Sequence, residues 1–153
     1  MNANFILKPE AATTAQAGSK PEILGQLADH FADVYELDRG LVLDRLEQRE
    51  TLGSTGFGRG VAIPHARVPG LRRSVAVFMR LDSPVDFDSV DGVPVGLVFG
   101  LLSPEKSGAA HLHALAAISR MMRDERLHEM LVDAPGAEAL YGLLDNVFDR
   151  DAA

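Results

Sequence analysis

The chain contains no cysteine, which excludes disulfides, thiolate zinc sites, iron–sulfur clusters and thiol catalysis, and fits a reducing compartment. It has no apolar run near the roughly 20 residues that cross a bilayer. Its first residues, MNANFILKPEAATTAQAG, lack the basic-then-apolar pattern of a secretion signal. The expectation is a cytoplasmic protein without membrane insertion. Positive charge is also short: 15 Lys+Arg stand against 22 Asp+Glu, a formal net charge of -7. Such a field repels polyanions, so no nucleic-acid partner is expected. There is no internal repeat, no G-x-x-x-x-G-K-[ST] phosphate loop and no dinucleotide fingerprint.

What remains is a chain of 153 residues, 46% of them hydrophobic, enough for one well-filled core and too little for a second full domain. Residues 1–18 read as an N-terminal strand or flexible arm. Phe5-Ile6-Leu7 is a short apolar stretch, and residues 9–18 are small, polar and turn-prone, an extended loop with little chemistry. Residues 19–150 form the domain proper. Ser19 and Glu22 make a capping box with Pro21 in the first turn, and Leu24, Leu27, Phe31 and Val34 recur at helical spacing as far as Tyr35. Asp38 caps a second helix that runs out near Glu50. Residues 51–60, TLGSTGFGRG, hold too many glycines for a helix interior and form a loop or hairpin. Short β-prone runs follow at 61–63, 75–81 and 95–102, the last apolar enough for a central strand. Helical periods return at 107–123, 125–131 and 138–148. This order predicts an α/β domain whose sheet is covered by helices on both faces.

The histidines are His30, His65, His111, His113 and His128. His30 and His128 lie within helices amid charged neighbours and read as structural. His65 follows Ile63-Pro64 at a strand end beside the glycine loop, where a side chain can stand out from a rigid element into a crevice. On the third helix, Leu112, Leu115, Ile118 and Met122 cluster about one direction. His111 points within about 20° of it, whereas His113 points to nearly the opposite side. The two therefore cannot chelate one ion, and no metal is expected. His111 is either a core histidine with a satisfied hydrogen bond or a site residue. Arg49, at the end of the second helix, is either a surface charge favoured by the helix dipole or the partner of an anion. In the loop, Ser54, Thr55 and Gly56 offer hydroxyls and backbone N–H groups suited to phosphate oxygens.

Taken together, Arg49-Glu50-x-x-Gly53-Ser54-Thr55-Gly56-x-Gly58-x-Gly60-Val61-Ala62-Ile63-Pro64-His65 closely resembles the active-site signature of the fructose/mannitol-type enzyme IIA domains of the bacterial phosphotransferase system. The likeness extends through Pro84-Val85-Asp86-Phe87-Asp88-x-Val90-Asp91-Gly92-x-Pro94-Val95 and His111-Leu112-x-x-Leu115, and its nearest look is to the nitrogen-regulatory branch. Ala66 stands where many members have Gly, and Arg59 where Asn is frequent. The resemblance implies a mixed β-sheet flanked by helices and no cofactor. It implies that His65 accepts a phosphoryl group on Nε2 from HPr or an HPr-like phosphocarrier, with His111 as the second active-site histidine and Arg49 steadying the group.

Two roles follow from such a domain. One is a regulator whose partners, such as potassium-transport or sensor-kinase components, change with the phosphorylation state of His65. The other is a sugar-transport enzyme IIA that passes the group to an enzyme IIB partner. The chain carries no fused IIB or membrane segment, which favours the regulator. A binding domain that has lost transfer is disfavoured by the joint presence of His65, His111 and Arg49, and a metal-dependent hydrolase by the divergence of His111 and His113. Arg72-Arg73 reads as a solvated turn, and Asp86 and Asp88 as turn residues that border the site.

Overall fold

The computed structural model describes residues 4–152, with side chains to residue 147; residues 1–3 of the expected arm and residue 153 lie outside the described residues. Helix α1 (Lys20–Tyr35) begins as the capping signal predicts. The Ser19 side chain accepts the Glu22 N–H at 3.3 Å. The Glu22 carboxylate reaches back one residue further than in a standard box, to the N–H of Gly18 at 2.9 Å. Ile23, Leu24, Leu27, Ala28 and Phe31 are its buried side chains. Asp38 caps α2 (Arg39–Thr51) by accepting the Leu41 N–H at 3.1 Å, and Val42 and Leu46 face inward.

The described strands are β1 (Ala12–Ala15), β2 (Gly56–Gly58), β3 (Val61–Ala62), β4 (His65–Val68), β5 (Val75–Val85) and β6 (Val95–Pro104), followed by α3 (Ala109–Arg123), α4 (Glu125–Asp133) and α5 (Ala137–Ala152). They build one mixed sheet in the order β1-β5-β6-β3-β2, with β4 also on β6. β5 and β6 are antiparallel; β1 on β5, and β3 and β4 on β6, are parallel. β6 is almost wholly buried because both of its faces are covered. A Cβ on Gly100 would meet Leu27 and Phe31 of α1 at 3.0 and 3.1 Å, so the helix lies directly on that face. Ser103, an odd number of residues further and hence on the opposite face, meets His111 of α3. The two helical layers thus flank the sheet.

β3 and β4 share one register against β6: Val61 stands opposite Leu97, Ala62 opposite Val98, and His65 opposite Leu101. They form one strand interrupted at Ile63-Pro64, because Pro64 has no N–H to give to the ladder; β2 pairs with the other side of its β3 half. Its carbonyl still accepts from Leu101 N at 2.9 Å.

The segment read as an extended loop or flexible arm is built into the fold instead. Pro9–Ala11 form a 3-10 turn, and β1 lies parallel to β5 with Ala11 and Ala12 buried. Ile6 exchanges backbone hydrogen bonds with Ser74 and Ala76 at 2.9 and 2.8 Å. The Tyr35 hydroxyl accepts from Lys8 N at 3.1 Å and donates to the Ala76 carbonyl at 2.7 Å. Small side chains, which carry little strand signal by themselves, suit an edge strand packed under α5. In the core, Phe99 stands edge-on to both Phe5 and Phe78, with ring centroids 5.7 and 5.5 Å apart.

The hairpin between β5 and β6 folds over the glycine loop. A Cβ on Gly56 would lie 2.3 Å from Ser89 Oγ and 2.9 Å from Ser89 Cα, so only glycine fits beneath that backbone. Gly56→Ala is expected to destabilise the protein by about 1 to 3 kcal/mol, the usual cost of overpacking. Urea unfolding checks this, and an unchanged midpoint would contradict it.

Candidate active site

His65 opens β4 and, being paired with Leu101, shares the face of Ser103 and α3. The sequence around it decides its proton. Ile63 N–H pairs outward with the Thr55 carbonyl at 3.0 Å. Ile63's own carbonyl takes the His65 Nδ1 at 2.8 Å. A carbonyl can only accept, so Nδ1 carries the hydrogen and Nε2 holds a lone pair. Arg49, brought alongside by the C-terminal end of α2, donates from Nε to that lone pair at 3.3 Å and from Nη1 to the Gly53 carbonyl at 2.8 Å.

The His111 ring lies 5.7 Å from that of His65, centroid to centroid. Its Nδ1 is 2.7 Å from Ser103 Oγ, and it is buried, while His113 is exposed. The inward face of α3 carries His111, Ala114, Ala117, Ile118, Met121 and Met122. Leu112, expected among the inward residues, is 62% exposed: the buried direction is rotated towards the small alanines, which allow the helix to approach the sheet. Among the described residues no group of three or more His, Asp or Glu is placed to hold a metal ion.

His65, His111 and Arg49 thus converge on a crevice of about 420 Å³ also lined by Arg45 and Arg67, with the exposed Leu52 and Leu112 on its walls. Burial holds the His65 imidazole below its usual pKa, opposed by the Ile63 hydrogen bond and reinforced by the Arg49 charge. Burial, then Arg67 and His65, push His111 down to about 4. Both rings are therefore neutral near pH 7 in a setting whose fixed charges are arginines, which suits an anion next to a neutral nitrogen nucleophile.

Arg67 escaped sequence reasoning because nothing in its neighbourhood distinguishes it from a solvated strand-end charge; only alternation from His65 along β4 hints at its position. Ser54, Thr55 and Gly56 do not line the crevice. Their groups are engaged elsewhere: Ser54 Oγ donates to the Phe87 carbonyl at 2.6 Å, and Gly56 N donates to Ser54 Oγ at 3.0 Å. Thr55 N and Oγ1 both donate to the Glu50 carboxylate, at 2.8 and 2.6 Å. The loop thus faces inward, with these polar groups held by protein partners. Glu50 is the residue it holds. This nearly buried carboxylate at an unfavourable helix C-terminus is compensated by Lys20 Nζ at 2.8 Å, itself over the Phe87 ring. The loop and Lys20 thereby fix the last turn of α2, and with it Arg49. Asp88 extends this border, 3.7 Å from Lys20, and Asp86 accepts the Asp88 N–H at 3.0 Å. Arg72 and Arg73 lie exposed on the turn between β4 and β5.

The pKa of His111 has a consequence for stability. Its folded value lies below the unfolded one of about 6.5, so protonation favours the unfolded chain. The His111 contribution is constant above about pH 6.5, and stability is lost as pH falls from there towards 4. His111→Asn is expected to flatten the stability-against-pH curve in that window. Parallel curves for the two proteins from urea unfolding would contradict this.

A mixed sheet with a neutral histidine, a second histidine and arginines gathered around one strand broken at a proline matches one family in particular. The chain belongs to the EIIA 2 family of the phosphoenolpyruvate-dependent sugar phosphotransferase system, a family of phosphotransfer components, whose model matches residues 5–147. Within the family it falls in the nitrogen-regulatory branch. It is 44% identical over 140 residues to the nitrogen regulatory protein of Bradyrhizobium diazoefficiens, covering 91% of this chain and 92% of that one. To the nitrogen regulatory protein of Pseudomonas aeruginosa it is 42% identical over 144 residues, covering 93% and 94%. The crystal structure of nitrogen regulatory protein IIA-Ntr from Neisseria meningitidis superposes with a TM-score of 0.83 at 34% identity, over 91% of this chain and 96% of that one. Among the described residues no helix is long and apolar enough to cross a membrane.

Proposed function

We propose that the protein is a phosphocarrier whose His65 accepts a phosphoryl group on Nε2 from the phosphohistidine of an HPr-like protein, and whose two states engage different partners. The observation that carries this reading is the His65 ring itself: Nδ1–H is committed to the Ile63 carbonyl, so the lone pair of Nε2 is the one presented to the cationic crevice.

In the transfer, Nε2 attacks phosphorus in line, a new N–P bond forms, and the donor's N–P bond breaks with its electron pair returning to the donor nitrogen. No proton need leave His65, because Nδ1–H remains on Ile63. Charge gathers on the peripheral phosphoryl oxygens, and the protein's task is placement and charge stabilisation. The Arg49 Nε–H, which caps the free lone pair, turns to those oxygens when the phosphoryl group arrives. His111 and the positive field of Arg67 complete the cradle. Thr55 acts one step removed, through Glu50, by keeping Arg49 in place, and Ser54 and Gly56 fix the loop that carries Thr55.

A phosphoryl group adds about two negative charges to a crevice with apolar walls, so a protein docking over Leu52 and Leu112 meets a changed surface. Incubation with phosphoenolpyruvate, enzyme I and the HPr-like carrier is expected to add one acid-labile phosphoryl group, seen by intact mass. Immobilised unmodified and phosphorylated forms are then expected to retain different proteins, potassium-transport and sensor-kinase components among the candidates. Identical retention together with rapid transfer to a sugar-specific enzyme IIB would favour the transport role.

A further inference from the structure

We infer that Ser103, hydrogen-bonded in turn to Ser74, is a positioning residue that sets the tautomer of His111, making it a hydrogen-bond donor to the anion in the crevice. The inference rests on the reading that His111 faces the transferred group. Ser103 Oγ lies 2.7 Å from His111 Nδ1 and 2.7 Å from Ser74 Oγ. Ser103 is fully buried and Ser74 nearly so, between β5 and β6, in the face covered by α3. Among the described residues neither hydroxyl has another hydrogen-bond partner, so the three groups form a short isolated chain.

Such a chain can run in two directions. If Ser74 donates to Ser103 and Ser103 donates to Nδ1, both hydroxyl hydrogens are used, and the ring hydrogen of neutral His111 must sit on Nε2. If Nδ1–H donates to Ser103 and Ser103 to Ser74, the Ser74 hydrogen is left in apolar surroundings without an acceptor, which is costly. The second arrangement would also turn the Nε2 lone pair to the crevice, against the phosphoryl oxygens. Hydrogen-bond satisfaction and electrostatics therefore select the same direction. The depressed pKa of His111, about 4, agrees with a ring that contributes as a neutral donor rather than as a cation. The two histidines of the crevice are then held in opposite tautomers by different buried partners. A carbonyl leaves His65 with a free Nε2, and a hydroxyl pair leaves His111 with Nε2–H. One is fitted to attack, the other to donate.

Long-range proton–nitrogen correlation spectra of the uniformly 15N-labelled full chain at pH 7.5 read both tautomers directly. The native protein is expected to show a protonated Nε2 and an unprotonated Nδ1 on His111, with the reverse on His65. Ser103→Ala is expected to convert His111 to a tautomer mixture, leave His65 unchanged and slow phosphoryl acceptance about tenfold. Should that variant fold poorly, Ser74→Ala tests the same point from the other side: the Ser103 hydroxyl then has no acceptor but Nδ1, so His111 is expected to keep Nε2–H, and a shift to Nδ1–H overturns the inference. A native His111 protonated on Nδ1, or a His111 pattern unmoved in folded Ser103→Ala, likewise overturns it. Native protein with the expected tautomers but no transfer would instead overturn the phosphocarrier reading and leave the tautomer assignment standing.

Discussion

His65→Ala is expected to accept no phosphoryl group from the donor carrier while keeping its fold. The argument is one of available lone pairs. His65 is half-buried, and its loss removes two hydrogen bonds, one to Ile63 and one from Arg49, each worth about 1 kcal/mol. No other histidine can replace it as nucleophile. His111 Nδ1 is occupied by Ser103, and its Nε2 carries the hydrogen in the arrangement inferred above. His113 is exposed on the far side of α3, while His30 and His128 belong to α1 and α4. Rapid-quench transfer from labelled carrier, with thermal unfolding as the control, measures both halves of the expectation. Label retained by a folded His65→Ala protein at the native rate would refute it.

The second large effect is expected at the cations and donors around the transferred group. Arg49→Ala and His111→Ala should slow acceptance by about 2 to 4 kcal/mol, roughly 30- to 1,000-fold, the range for removing one preorganised donor from a developing charge. Arg49→Lys should recover little. A lysine is a point charge and cannot bond the Gly53 carbonyl and face Nε2 with one rigid plane, as the guanidinium does. His113→Ala serves as the control, since it lies two residues from His111 but on the exposed face. Single-turnover rates for all four proteins decide the matter; a His113→Ala defect equal to that of His111→Ala, or Arg49→Ala within threefold of native, would overturn the placement of charge argued here.

Local signals carried much of the fold. Ser19 and Asp38 announce the two first helices because capping is a contact over three residues, and the Ala/Leu/Met period of α3 places His111 inward and His113 outward. The juxtaposition of His65, His111 and Arg49 was visible only as a family pattern, since they come from three elements whose meeting depends on sheet order. That order was not legible, because the parallel pairings of β1, β3 and β4 are made across long stretches of chain and leave no local trace. β1 was legible only as one of two alternatives, strand or flexible arm, for the same reason: alanines and threonines become a strand there because β5 and α5 supply the neighbours. Arg67 and Ser103 sit at strand ends where arginine and serine are unremarkable in composition, and their importance comes from what the register sets beside them. The glycine loop carried an ambiguous message. Its hydroxyls and N–H groups suit phosphate oxygens or a buried carboxylate equally well, and both donors of Thr55 go to Glu50.

The parallel register of the broken strand β3–β4 also bears on how the molecule is made. β4 has no described strand partner except β6, which begins thirty residues after His65, at Val95. Until that strand is in place nothing aligns His65 with Leu101 or sets Ser103 beneath His111. Closing loops of this length costs entropy before the contacts repay it, so such pairings form late. The crevice is then a product of the finished sheet and not of any fragment of it. On the phosphocarrier reading proposed above, competence to take a phosphoryl group becomes a report on completed folding, and a partly folded chain offers a donor nothing to recognise.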